Sequence, residues 1–182
     1  MADGVAGAVL AGGASRRFGS DKAVFRVEGS TMLERAVSLL SSVNCDPILV
    51  VGGRSEQRHV TGTTFVPDKY PGEGPLGGVL TALDAVVASW TMMIACDLPY
   101  LNADVLEALL THATTADVVL ARTSRGPEPL VGLYSQTVQT RFEAAFRSGT
   151  RAVSDALGLV TVDHVSVVAS KQLRNVNRVE DL

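Results

Sequence analysis

The sequence predicts an α/β fold, a mostly parallel sheet covered by helices on both faces. Short, near-continuous apolar runs alternate with segments of helical period, the pattern of strands buried on both faces and joined by helical crossovers. The three most unusual stretches, GGASRRFGSDK, DKYPGEGPLGG and DLP, each follow one of those runs. In sheets of this kind ligands bind beyond the carboxyl ends of the strands.

The elements follow in order. VAGAVL (5–10) reads as the first buried strand. Thr31 and Glu34 have the spacing of a capping box, and Leu33, Val37 and Leu40 then recur at helical intervals. PILVV (47–51) and TTFVP (63–67) read as the second and third strands. Pro75 suits the first turn of a helix, and Leu76, Val79, Leu80, Leu83, Val86 and Val87 trace one face of it. WTMMIAC (90–96) is the fourth strand, ending at Asp97. Asn102 stands where it can cap a helix carrying Val105, Leu106, Leu109 and Leu110. DVVLA (117–121) and PLVGLY (129–134) are further strands, helices are expected at about 136–147 and 151–157, and a last strand near 164–168. No repeat, low-complexity linker or domain boundary interrupts the chain, so a single domain is expected over residues 1–182.

Composition narrows the function. The hydrophobic fraction of 46% allows a sizeable core, and with aromatics at only 5% that core must be mostly Val, Leu and Ala. The net charge of −3 lacks the basic excess of a nucleic-acid binder. Arg16 and Arg17 follow the first apolar run, the reverse of a targeting signal. Apolar runs stop after about 5–8 residues, against the ~20 that cross a bilayer, so neither nucleic acid nor membrane is expected as a partner. Cys45 and Cys96 form no CxxC pair, and the chain reads as reduced and cytoplasmic. His59, His112 and His164 are scattered without metal-ligand spacing.

VLAGGASRRFGSDK (9–22) carries the chemistry. Glycines let a ligand approach backbone N–H groups, phosphates exploit that arrangement, and Arg grips phosphate oxygens two at a time. Arg16, Arg17 and Lys22 would thus make a polyphosphate cradle; a solvated surface turn with incidental arginines is the alternative. The stretch is neither a Walker A loop, since Gly19 is followed by Ser20 and Asp21, nor a dinucleotide fingerprint, whose spacing Gly12 and Gly13 break. Asp97, at a strand end before Leu98 and Pro99, suits Mg²⁺, which takes one or two carboxylates plus phosphate oxygens and water; a helix cap or turn is the bland alternative. Asp68 could bind metal, touch a ribose or merely start a turn. Gly77 and Gly78 in a first helical turn suggest a flat group packed close by, such as a nucleobase, or close helix–sheet packing. Cys96 reads as a small buried hydrophobe.

Four segments in order resemble the molybdenum cofactor guanylyltransferase (molybdopterin-guanine dinucleotide synthase) family of nucleotidyltransferases: LAGGASRRFGSDKA, VPDKYPGEGPLGG, ACDLPYL and RNVNRVEDL. Phe18 stands where that family most often has Met, and Val51-Gly52-Gly53 where some members have an Asn. The resemblance implies a Rossmann-like, three-layer α/β/α nucleotidyltransferase domain of the glycosyltransferase-A-like type. Its nucleotide-binding part would span about 1–100 and its acceptor-binding part about 101–182. It implies GTP and molybdopterin as substrates, with molybdopterin guanine dinucleotide and pyrophosphate as products. By position, Leu10, Ala11, Gly12 and Gly13 would contact the nucleotide through the backbone, with Pro75 and Leu76 beside it. Lys22 would bind phosphates, Asp68 the nucleotide, and Asp97 Mg²⁺, while Arg17 is the signature arginine. Asn175 and Asn177 would lie on the pterin side. Arg151 is an acceptor contact or a solvated arginine at a helix start. Transient contact with molybdoenzymes or cofactor-assembly proteins would suit such an enzyme. A cytidylyltransferase for the same cofactor and a sugar-phosphate nucleotidyltransferase are the alternatives within the fold. A non-catalytic nucleotide- or cofactor-binding chaperone is the alternative of another class.

Overall fold

A computed structural model describes residues 4–12, 25–53, 60–113, 116–167 and 170–176. The expected elements are β1 (Val5–Leu10), β4 (Ile48–Val51), β5 (Thr64–Val66), β6 (Trp90–Ala95), β7 (Val118–Thr123), β8 (Gly126–Ser135) and β9 (Val162–Ser166). The helices are α1 (Met32–Ser42), α2 (Pro75–Asp84), α3 (Ala103–Thr111), α4 (Gln139–Arg147) and α5 (Val153–Ala156). A two-stranded hairpin, β2 (Arg26–Val27) and β3 (Ser30–Thr31), was not expected.

The seven strands of the main sheet run in the order β5-β4-β1-β6-β8-β7-β9. β8 alone runs against the others, pairing antiparallel with β6 and with β7. Alternation along the strands feeds two cores. Val9, Val50, Met92 and Ile94 face α1 and α3, where Leu33, Leu40, Leu106 and Leu109 are buried. Ala8, Leu10, Leu49 and Met93 face α2, α4 and α5, where Leu76, Leu80, Phe142 and Val153 are buried. Three layers result, as the apolar periods predict.

Local signals are mostly realised. Thr31 Oγ1 accepts the Glu34 N–H at 3.1 Å, and Glu34 Oε2 accepts the Thr31 N–H at 2.7 Å. These backbone and side-chain bonds to Thr31 hold the Glu34 carboxyl below its usual range. Two expectations need correction. α2 ends at Asp84, and Val87 stands fully exposed beyond it instead of on the buried helical face. Asn102 occupies the cap position of α3 but its side chain caps nothing: Nδ2 donates to Asp104 Oδ2 at 3.0 Å. No helix among the described residues is long and apolar enough to cross a membrane.

Candidate active site

A cavity of about 630 Å³ opens at the carboxyl ends of β1, β4 and β6. Main-chain bonds continue the sheet into its floor. The Ala11 N–H donates to Val51 O at 2.9 Å, and the Cys96 N–H donates to Leu10 O at 3.3 Å. Leu10, Ala11 and Gly12 form one wall, Asp68, Gly72, Gly74, Pro75 and Gly78 a second, and the segment from Ala95 to Leu98 a third. The antiparallel β8 brings Glu128–Val131 to the same rim, and Ala152, Val153, Ser154 and Asn175 complete it.

Several predicted positions line this cavity. Gly12 reaches the cavity because Gly52 leaves room behind it. A Cβ on Gly52 would stand 3.1 Å from Gly12 Cα, and its φ of +72° is one that L side chains rarely adopt. Gly52→Ala is therefore expected to push the chain after β1 out of line and weaken a ligand held in the cavity several-fold, on the scale of a mutation that misplaces a site by a fraction of an ångström. Titration of nucleoside triphosphates against the folded variant and the wild type checks this.

Asp68 begins a turn and also faces the cavity. Its Oδ1 accepts the Tyr70 N–H at 2.9 Å and the Thr81 hydroxyl at 3.3 Å. Its Oδ2 lies 3.7 Å from where a Cβ on Gly12 would sit. Asp97 sits at the end of β6, half-buried on the cavity wall. Its carbonyl accepts the Val176 N–H at 2.9 Å. Val176 is fully buried with Val27 and Met32, so this bond moors the adjacent Asn175 at the cavity.

Other predicted positions lie elsewhere. Leu76 is fully buried in the core, and its N–H donates to Arg151 O at 3.1 Å. Gly77 serves close packing rather than a ligand: a Cβ there would stand 2.8 Å from Tyr70 Cβ. Gly78 does line the cavity. The Arg151 guanidinium is turned away from the cavity. It donates to Phe146 O at 2.7 Å and Thr150 O at 3.0 Å, and pairs with Glu73 at 2.7 Å. Gly13, Arg16, Arg17, Lys22 and Asn177 lie outside the described residues.

Sequence reading missed Glu128. Ile94 and Val131 are the last pair of the β6–β8 ladder, and beyond it Asp97 and Glu128 both line the cavity. Burial raises the Glu128 carboxyl above its usual range, Arg125 opposes the shift, and the negative charge of Asp97 adds to it. The Tyr134 hydroxyl, fully buried, donates to Pro129 O and fixes the neighbouring stretch of β8. Burial drives the Tyr134 phenol well above its ordinary range. Cys96 is buried at the cavity wall, and Cys45 is buried in the core, where desolvation pushes its thiol up to about 11.

A mostly parallel sheet with helices on both faces and a cavity at the carboxyl ends of its first strands defines a Rossmann-like α/β protein built to hold a ligand there. Two solved structures share the fold. A molybdopterin-guanine dinucleotide biosynthesis protein A from Archaeoglobus fulgidus superposes with a TM-score of 0.79 at 23% identity, over 97% of this chain and 94% of that one. A nucleotidyl transferase from Methanothermobacter gives 0.82 at 18% identity, over 97% and 93%. The chain belongs to the family of MobA-like NTP transferase domains, whose model matches residues 7–162. Curated relatives include a probable molybdenum cofactor guanylyltransferase from Opitutus terrae, 33% identical over 99% of this chain and 94% of the relative. Another, from Deinococcus radiodurans, is 31% identical over 96% and 90%. The chain is thus an enzyme of molybdenum cofactor biosynthesis, a nucleotidyltransferase of the MobA type.

Proposed function

We propose that the protein transfers GMP from GTP to the phosphate of molybdopterin, giving molybdopterin guanine dinucleotide and pyrophosphate. The observation that carries this reading is the one cavity lined by Leu10–Gly12, Asp68 and Asp97 at the carboxyl ends of the strands; in sequence, Gly12 leads into the segment bearing Arg16, Arg17 and Lys22. The names of the curated relatives supply the substrates.

The mechanism follows from the residues. Two polyanions repel, so the protein must align them and neutralise their charge; no covalent nucleophile is needed. The backbone at Leu10, Ala11, Gly12 and Gly13 receives the nucleotide, with Asp68 and Pro75 beside it. Lys22 and the loop arginines neutralise the triphosphate. A phosphate oxygen of the acceptor attacks the α-phosphorus, and the bond to the β-phosphate bridging oxygen breaks. Asn175 and Asn177 serve the acceptor, in the part of the chain after about residue 100.

Mg²⁺ fits the donor set. Asp97 offers hard carboxylate oxygens at the cavity, with Glu128 near it. Mg²⁺ takes one or two carboxylates and completes its shell with phosphate oxygens and water. Bound at Asp97, it supplies positive charge to the reacting phosphates.

Pyrophosphate release with molybdopterin and Mg²⁺ tests the reading, comparing GTP with CTP, ATP and UTP. GTP is expected to be preferred at least about tenfold, the scale of one or more base-edge hydrogen bonds. Preference for CTP would keep the mechanism and overturn the base. No release from folded protein supplied with active pterin would favour a binding protein.

A further inference from the structure

We propose that Arg151 is a positioning residue: without contacting either substrate, it ties the acceptor-side wall of the cavity to the nucleotide-side wall and so sets the affinity for the nucleotide. The inference rests on the functional reading above, and it changes the part that Arg151 plays there.

The guanidinium has five N–H donors in a rigid fork. Three of its contacts are to this chain: Phe146 O at 2.7 Å, Thr150 O at 3.0 Å and Glu73 Oε2 at 2.7 Å. Its plane also lies over the Phe146 ring, 4.1 Å from the centroid, where a cation is attracted to the π face. Phe146 in turn packs against Tyr70, with ring centroids 4.6 Å apart. The guanidinium therefore faces a separate pocket of about 310 Å³ behind the loop.

What it grips is the loop between β5 and α2. That loop carries Asp68, Gly72, Gly74 and Pro75 on its cavity side and Tyr70 and Glu73 on its rear. The main chain of Arg151 holds the same loop a second time. Its carbonyl accepts the Leu76 N–H at 3.1 Å, satisfying one of the donors that the first turn of a helix leaves open. Gly74, at φ +90°, allows this approach: a Cβ there would stand 2.9 Å from the Arg151 carbonyl oxygen. On the other side, the next three residues, Ala152, Val153 and Ser154, are cavity wall. One residue thus joins the two halves at their backs.

An exposed ion pair alone is worth little, and the Glu73 and Arg151 side chains are 48% and 42% exposed. The strut depends on the sum of the ion pair, two carbonyl bonds and the ring contact. That sum predicts a graded series. Lysine can keep the pair with Glu73 but lacks the fork that holds Glu73 with one nitrogen while the other donates to both carbonyls.

The test uses the full chain with Mg²⁺ and measures GTP dissociation by titration and the KM for molybdopterin at saturating GTP. Arg151→Ala is expected to weaken GTP about tenfold, within the usual range of coupling between sites, and to move the molybdopterin KM by less than about twofold. Arg151→Lys should recover part of the loss. Glu73→Ala should show the same pattern more weakly, and the double variant should be no worse than Arg151→Ala. Rising molybdopterin KM with unchanged GTP affinity in Arg151→Ala would make the arginine an acceptor contact and overturn the proposal. A lower melting temperature with both constants unchanged would reduce it to a stability element and overturn it too. A wrong base assignment leaves the test intact, because it is read with whichever triphosphate the wild type binds. A wild type that binds none removes the functional reading and the strut together.

Discussion

Replacing Asp97 by Ala is expected to lower pyrophosphate release about 10²-fold or more at saturating GTP, the scale for loss of one preorganised electrostatic group. The argument is local. Asp97 lies at the end of β6, half-buried on the cavity wall, one strand away from the Leu10–Gly12 loop. The carbonyl that accepts the Val176 N–H remains in an alanine variant. The rate loss is read on variant protein shown to be folded by its melting curve. Asp97→Asn keeps the shape and one oxygen but removes the charge, so it should fall nearly as far. Its shortfall cannot then be attributed to a vacated side chain. Near wild-type turnover of folded Asp97→Ala would remove the carboxylate from the mechanism.

The largest expected loss of stability is at Phe142. It is fully buried on α4, edge-on to Tyr134 at a centroid distance of 6.3 Å, in the core beneath α2 and α5. Phe142→Ala should cost about 3–5 kcal/mol, the sum of lost transfer energy and a residual cavity. Thermal unfolding should move down by roughly 10 °C for a chain of this size. A shift of only a degree or two would mean that α4 repacks freely. GTP affinity of the folded fraction should change little, because Phe142 lines neither cavity wall.

How far the sequence spoke depended on which forces it encodes locally. β1, β4 and β6 were legible because burial on both faces demands uninterrupted apolar runs. The Thr31–Glu34 cap was legible because both partners lie within one turn. Val87 was misread because an apolar residue at helical spacing looks the same whether or not the helix has already stopped. The β2–β3 hairpin has strands of two residues each, too short for any period to register. In the site, Asp68 and Asp97 stood out as carboxylates directly beyond strands. Glu128 did not, since RGPEPL reads as a polar turn. Only the antiparallel return of β8 brings it to the cavity that Asp97 also lines. Arg151 was legible as a residue of interest but not in its orientation, which depends on Glu73 and Phe146, distant in sequence from each other.

The sheet order has a consequence for assembly of the chain in time. β1 pairs with β4 on one side and with β6 on the other, Val5 lying opposite Trp90. Contacts between such distant positions carry a loop-closure cost before they return any stabilisation, and parallel pairings of this kind form slowly. During synthesis the glycine loop leaves the ribosome long before the strand bearing Asp97. The two therefore meet late, once the strand that separates early from late folding has docked. Competence to bind nucleotide thus arises near the end of folding, and a partly folded chain exposing the apolar flank of β1 is the species most exposed to misassembly.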